Sequence, residues 1–239
     1  PEVRILEDVN LIYPYRIRKD SMGIYVMDLH ATDYYCFHLG YPSMEWKRSL
    51  AKKGIGPEEF LDAENIRLTK AGACWVLDAN RNSFYCFLSE DTTWSQEVSL
   101  DNRLIQNLDF EIYKDSLFIV PDGMGEYRFN ILSADGKIKE RRGHIPLRKK
   151  DKNISDIAYA QAWRGFLSYN DENGVMALVT QLGEVMQIYD LPGDSLINTV
   201  YGKEGSPRFV YKDGFTIPDG ILGYSDVYVG KKSIYTLFW

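Results

Sequence analysis

Apolar and polar positions along this chain recur in blocks. Laying residues 24–39 over residues 74–89, a shift of 50, puts Ile24-Tyr25-Val26-Met27-Asp28 over Cys74-Trp75-Val76-Leu77-Asp78. The same shift puts Tyr34-Tyr35-Cys36-Phe37 over Phe84-Tyr85-Cys86-Phe87. Each block is an apolar run, an aspartate, a polar gap and an aromatic-rich run, a pattern that predicts strand, loop and strand. A period of about 40–50 residues belongs to repeat architectures, and four-stranded propeller blades have it. Between the two blocks lies Gly54-Ile55-Gly56-Pro57-Glu58-Glu59-Phe60. Glycine admits left-handed backbone and close approach, proline fixes its own φ and biases the residue before it, and Phe60 supplies an apolar anchor. The stretch therefore reads as the joint between two blades. A phosphate loop would need a following Lys-Ser or Lys-Thr and a helix start, and neither is present.

Continuing the pattern gives an all-β chain of four-stranded antiparallel blades, about four and a half of them, within a single propeller domain over residues 1–239. A short alternating strand is predicted at residues 2–8. The blades are predicted at about 9–53, 61–102, 103–145 and 154–190, with an incomplete one at 225–239. The third closes through Ala134-Asp135-Gly136, a hairpin signal. The fourth is assigned strands at Ile157–Gln161, Gly165–Tyr169, Val175–Thr180 and Glu184–Tyr189. Residues 190–224 are expected to be one long irregular inter-blade loop. Six blades would need roughly 60 further residues at about 40–45 per blade. The chain is either part of a six-bladed ring or a ring of fewer blades.

The joint also carries a family likeness. Gly54, Gly56, Pro57, Glu59 and Phe60, following the strand pair Ile24–Asp28 and Tyr34–Leu39, resemble the motif of the TolB-like six-bladed β-propellers, envelope proteins and lipoproteins of Gram-negative bacteria. The likeness is sharp at this motif and looser over the rest of the chain. It implies an extracytoplasmic protein, periplasmic or associated with the outer membrane, with a lipid anchor lost with the N-terminus. It transfers no catalytic residue.

Composition narrows this picture. The chain has 239 residues, 45% hydrophobic and 14% aromatic, enough apolar material for one large β core. A formal net charge of −6 argues against general nucleic-acid binding. No apolar run reaches the length of a membrane span. Pro1 in place of an initiator Met reads as a processed or trimmed start. Cys36, Cys74 and Cys86 are an odd set inside apolar strands, so small buried hydrophobes without a disulfide are expected.

Strand parity assigns loops to faces. Neighbouring strands joined by short turns alternate in direction, so the loop after each second strand and the joint after each fourth share one face. That face receives the longer segments, including Asp28–Asp33, Lys52–Phe60, Asp78–Asn82, Pro121–Glu126, His144–Asn153, Asp171–Gly174 and 190–224. The other receives short turns, Gln181–Gly183 among them. Long loops on a rigid scaffold carry function.

The candidate chemistry on that face is modest. Asp78-Ala79-Asn80-Arg81-Asn82 starts like a calcium loop, but Ser83 and Ser89 stand where glycine and glutamate are required, so it reads as a capped hairpin loop. His30 sits near Asp28 and Asp33 as a ligand or base candidate. Cys36 and His38 share a strand face but read as core packing. The cluster Glu58, Glu59, Asp62 and Glu64 reads as solvated or structural. Basic residues gather between Lys137 and Lys152, with Arg148 and Lys149 in the loop. The predicted ligand-binding set is His30, Arg81, Arg148, Lys149, Lys203, Arg208 and Tyr211, for an anionic or hydroxyl-rich ligand, with carbohydrate, peptide or protein as partner. No catalytic residue, metal ligand or cofactor is predicted. A binding or scaffold module is favoured over an enzyme. The alternative is a carbohydrate lyase or hydrolase with its site at the central channel mouth.

Overall fold

The computed structural model describes residues 10–21, 23–88, 91–104, 106–114, 116–147 and 150–239. The strand expected at 2–8, and Arg148 and Lys149, lie outside these residues. The chain divides into two compact units, Pro1–Ser99 and Leu100–Trp239.

The first unit holds two four-stranded antiparallel sheets in simple sequence order. One comprises β1 (Pro14–Lys19), β2 (Gly23–Asp28), β3 (Tyr34–Gly40) and β4 (Trp46–Lys52). The other comprises β5 (Ala63–Leu68), β6 (Cys74–Asp78), β7 (Ser83–Phe87) and β8 (Gln96–Ser99). Met27, Cys36 and Leu50 of the first sheet and Ile66, Val76 and Phe87 of the second share one buried cluster. The repeat seen in sequence is thus two stacked blades. Its register is offset in one respect: Cys36 pairs with Met27, whereas Cys86 pairs with Trp75 rather than with Leu77. A two-residue slip preserves the face of every side chain.

The second unit holds two more such sheets. Strands β9 (Glu111–Tyr113), β10 (Leu117–Pro121), β11 (Phe129–Leu132) and β12 (Ile138–Arg142) form the first, and the Asp135-Gly136 turn closes its last hairpin as expected, with Gly136 at φ 78°. Strands β13 (Gly165–Asn170), β14 (Val175–Thr180), β15 (Val185–Asp190) and β16 (Ser195–Tyr201) form the second. β14 is apolar on both sides. Met176 and Leu178 pack toward the β9–β12 sheet, while Ala177 and Val179 pack toward β19 (Tyr224–Val229), which forms a hairpin with β20 (Ile234–Phe238). β1, β5 and β19 each carry a register shift near their starts, at Pro14/Arg16, Ala63/Asn65 and Tyr224/Asp226. This shared irregularity marks β19 as the first strand of a further blade.

Two expectations fail here. Residues Ile157–Gln161 are not a strand: they lie in α1 (Asp156–Trp163). Ala158, Ala160 and Ala162 mimic strand alternation, yet alanine is the strongest helix former. Ser155 caps the helix, its Oγ accepting from Ala158 N at 3.2 Å. The fourth blade therefore begins at Gly165 and ends at Tyr201. Residues 190–224 are not one irregular loop. They contain β16 and the hairpin β17 (Phe209–Lys212) with β18 (Phe215–Pro218), which packs on α1 through Phe209 against Tyr159 and Thr216 Oγ1 donating to Ala158 O. With the frame moved by one strand, Gln181–Gly183 follows a second strand and Asp171–Gly174 does not, so their assignments to faces exchange.

Candidate functional site

The joint in the first unit is built as a rigid turn. Gly54 adopts φ 151°, and a Cβ there would lie 2.0 Å from Glu59 Oε2. That carboxylate accepts from Gly56 N at 2.9 Å, and its other oxygen takes Lys52 Nζ at 2.8 Å. These bonds, the Lys52 ammonium first, hold the Glu59 carboxyl below its ordinary value. Phe60 is 1% exposed, and its N donates to Lys52 O. The motif residues thus serve the turn itself.

Of the residues expected to bind ligand, His30 and Arg81 lie in this unit. Arg81 turns inward and donates from Nη2 to Gly56 O at 2.7 Å. Lys53 Nζ, on the joint's other side, donates to Leu29 O and Ala31 O, so the loops carrying His30 and Arg81 are both strapped to the joint. His30 remains exposed, its ring 5.3 Å from that of Tyr13. Lys203, Arg208 and Tyr211 lie in the second unit, Lys203 and Arg208 exposed after β16 and Tyr211 on β17. Within the basic run, Lys150 pairs with Asp156 at the start of α1, and Arg141 with Asp122 at 3.2 Å. Among the described residues no cluster of His, Cys, Asp and Glu could hold a metal ion.

Sequence reasoning missed a cavity of about 480 Å³ in the second unit, between the ends of β11–β12 and the β15–β16 hairpin. Its polar wall includes Arg142, His144, Gln187, Asp190 and Asp194, with Tyr189 among them; Phe129, Pro146, Leu191 and Leu196 supply apolar surface. Gly143 (φ 66°) permits close packing here, because a Cβ would lie 2.7 Å from the Tyr189 hydroxyl and 3.1 Å from Arg128 Cβ. Tyr189 is 4% exposed and its hydroxyl has no hydrogen-bond partner. Burial pushes that phenol up to about 12. Behind it Arg128, 3% exposed, donates from Nε to Gln187 Oε1 at 2.6 Å and from Nη1 to Trp163 O at 2.5 Å, while Nη2 has no partner. Its acceptors are neutral, and burial lowers its pKa to about 10. Arg142 is held at the wall by Glu140 and Asp194, with Nη1 donating to Leu191 O. No motif signals this site, since its residues come from separate strands joined only by sheet packing.

Four-stranded antiparallel blades stacked face to face define a β-propeller, and the comparisons agree. The chain belongs to the TolB-like 6-blade propeller-like family, whose model matches residues 2–239. A crystal structure of a DUF4221 family member from Bacteroides vulgatus is similar at 11% identity and TM-score 0.53, over 88% of this chain and 62% of that one. Virginiamycin B lyase from Staphylococcus aureus is similar at 11% identity and TM-score 0.56, over 94% of this chain and 63% of that one. The chain thus spans less than two thirds of either protein, and at these identities the likeness concerns fold alone. No curated protein sequence matches. Among the described residues no helix is long and apolar enough to cross a membrane.

Proposed function

We propose that this protein is an extracytoplasmic binding or scaffold module of the bacterial envelope, and that its ligand occupies the cavity of the second unit. The observation that carries the reading is Tyr189: a buried hydroxyl without a partner on a cavity wall is an unsatisfied polar group that a ligand or water can complete. The volume falls within the range of about 300–1,000 Å³ usual for ligand pockets. Lys203, Arg208 and Tyr211, further along the same unit, are proposed as additional contacts to a larger partner. Family membership supports the envelope location, and a lipid anchor belongs to the same proposal.

The test is a thermal-shift screen of glycans, peptides and metabolites. A ligand bound at about 100 times its Kd adds about 2.7 kcal/mol. Ser195→Trp places a large ring at the cavity wall and abolishes the shift. A ligand whose shift survives Ser195→Trp binds elsewhere, and that result sinks the cavity reading. A second reading, a carbohydrate lyase or hydrolase, draws on the presence of His144, Asp190 and Asp194 in the same cavity. Chain cleavage of a bound glycan would favour it, and unchanged glycan would favour the binder.

A further inference from the structure

The charges around the cavity narrow what can occupy it. On the wall the Arg142 guanidinium faces Glu140 and Asp194, Asp190 also lines the cavity, and Arg128 lies behind the wall against neutral acceptors. The Arg142 charge is already engaged by Glu140 at 2.5 Å and Asp194 at 3.2 Å. An incoming anion would meet Asp190 and Asp194 with no unengaged cation on the wall, since Arg128 Nη2 lies beneath the surface. An incoming cation would compete with Arg142 for Asp194, and the Asp190 carboxylate already accepts from Gly193 N at 3.1 Å. A hydroxyl group suffers neither penalty, because it donates and accepts at once. It can donate to a carboxylate oxygen of Asp190 or Asp194 while accepting from Arg142 or Gln187. Phe129, Pro146, Leu191 and Leu196 offer apolar surface to the C–H faces of a ring.

We propose that the cavity binds an uncharged, hydroxyl-rich sugar unit, with Asp194 as an acceptor for its hydroxyls and Arg142, paired with Asp194, as a donor. The proposal rests on this cavity being the ligand site. It narrows the class of ligand from anionic or hydroxyl-rich to neutral saccharide.

The experiment is calorimetric titration of the whole chain with neutral trisaccharides (maltotriose, cellotriose, xylotriose and mannotriose) and with acidic trigalacturonate. At least one neutral trisaccharide binds, more tightly than trigalacturonate, with an affinity that changes little from low to high salt, because no ionic contact is there to be screened. Asp194 has φ 49°, so alanine there would strain the backbone and glycine would not. Asp194→Gly should therefore keep the fold and weaken binding about tenfold, the loss of one hydrogen bond to a charged group. Asp194→Asn, which retains one carbonyl acceptor, should lose less. Tighter binding of trigalacturonate, a steep salt dependence, or neutral sugar bound equally by Asp194→Gly would overturn the proposal. If no sugar binds but another compound gives a shift that Ser195→Trp removes, the sugar proposal falls while the cavity reading stands.

Discussion

Asp28 and Asp78 occupy the same place in successive blades, at the end of the second strand, and both are 0% exposed. Asp28 accepts from the backbone N–H groups of Ile12, Tyr13, His30 and Ala31. Asp78 accepts from those of Leu61, Asn80 and Arg81. Each ties the segment entering its blade to the loop leaving the second strand. Asp78→Ala strands three buried or half-buried donors at about 1 kcal/mol each, so urea unfolding should show a loss of about 3 kcal/mol. The mutant's slope against urea should be unchanged if only the folded state is affected. Glu59 gives a pH signature instead. Its folded pKa lies below the unfolded one, so its contribution is present above the ordinary glutamate range and vanishes as pH falls through the folded value. Melting of wild type and Glu59→Gln should therefore differ at neutral pH and converge only once the pH falls below the folded value, under the ordinary glutamate range. A gap that persists in acid would mean that the carboxylate's charge is not what stabilises the joint. The aspartate repeat and the joint motif were both visible in the sequence, because each is local chemistry at fixed spacing. The inward turn of Arg81 onto Gly56 was not, because the choice between solvent and a carbonyl across the blade depends on a tertiary contact.

At the scale of elements, the outer strands manage exposed edges. The sheet orders place β4, β8, β12 and β16 at blade edges. Register shifts occur where β4, β12 and β16 pair inward, at His38/Leu39, Ile131/Leu132 and Ile188/Tyr189, and β8 is only 4 residues long. Bulges and brevity are both ways of blunting a strand edge against intermolecular pairing. The helix α1 is the element that local pattern misassigned. Its alternation of alanine with Tyr159 and Gln161 imitates period two, but its face is decided by Trp163 and Tyr159, buried respectively beside Val185 and against Phe209. Once α1 is taken for a strand, every later strand in that blade shifts by one, which is why residues 190–224 read as irregular. The cap tests the helix directly. Ser155→Ala removes the acceptor for Ala158 N and should cost about 1 kcal/mol in thermal or urea unfolding. A neutral result would show that α1 is held by packing alone.

Across the whole molecule, the blade repeat was legible because strands alternate apolar and polar residues at fixed spacing. The cavity was not, since Arg142 ends β12, Gln187 and Tyr189 lie on β15, and only stacking of the sheets brings them together. The cysteines show how chemistry is divided along the chain. Cys36, Cys74 and Cys86 are all free, all buried and all in the first unit. Burial raises the Cys36 thiol to about 12 and moves Cys74 and Cys86 in the same direction. Since the thiolate is the reactive form, an aromatic disulfide reagent should label the native protein slowly, and only through opening of the first unit. Denatured without reductant, the chain should yield three thiols at once; a yield of one would mean a disulfide that this structure does not contain. The location of the thiols adds a second readout. Asp78→Ala, which loosens the first unit, should speed native labelling, the logarithm of the rate rising in step with the loss of stability when opening and closing are fast relative to labelling. Labelling that is fast in wild type, or indifferent to Asp78→Ala, would contradict the burial of these thiols behind the sheets that Asp78 secures.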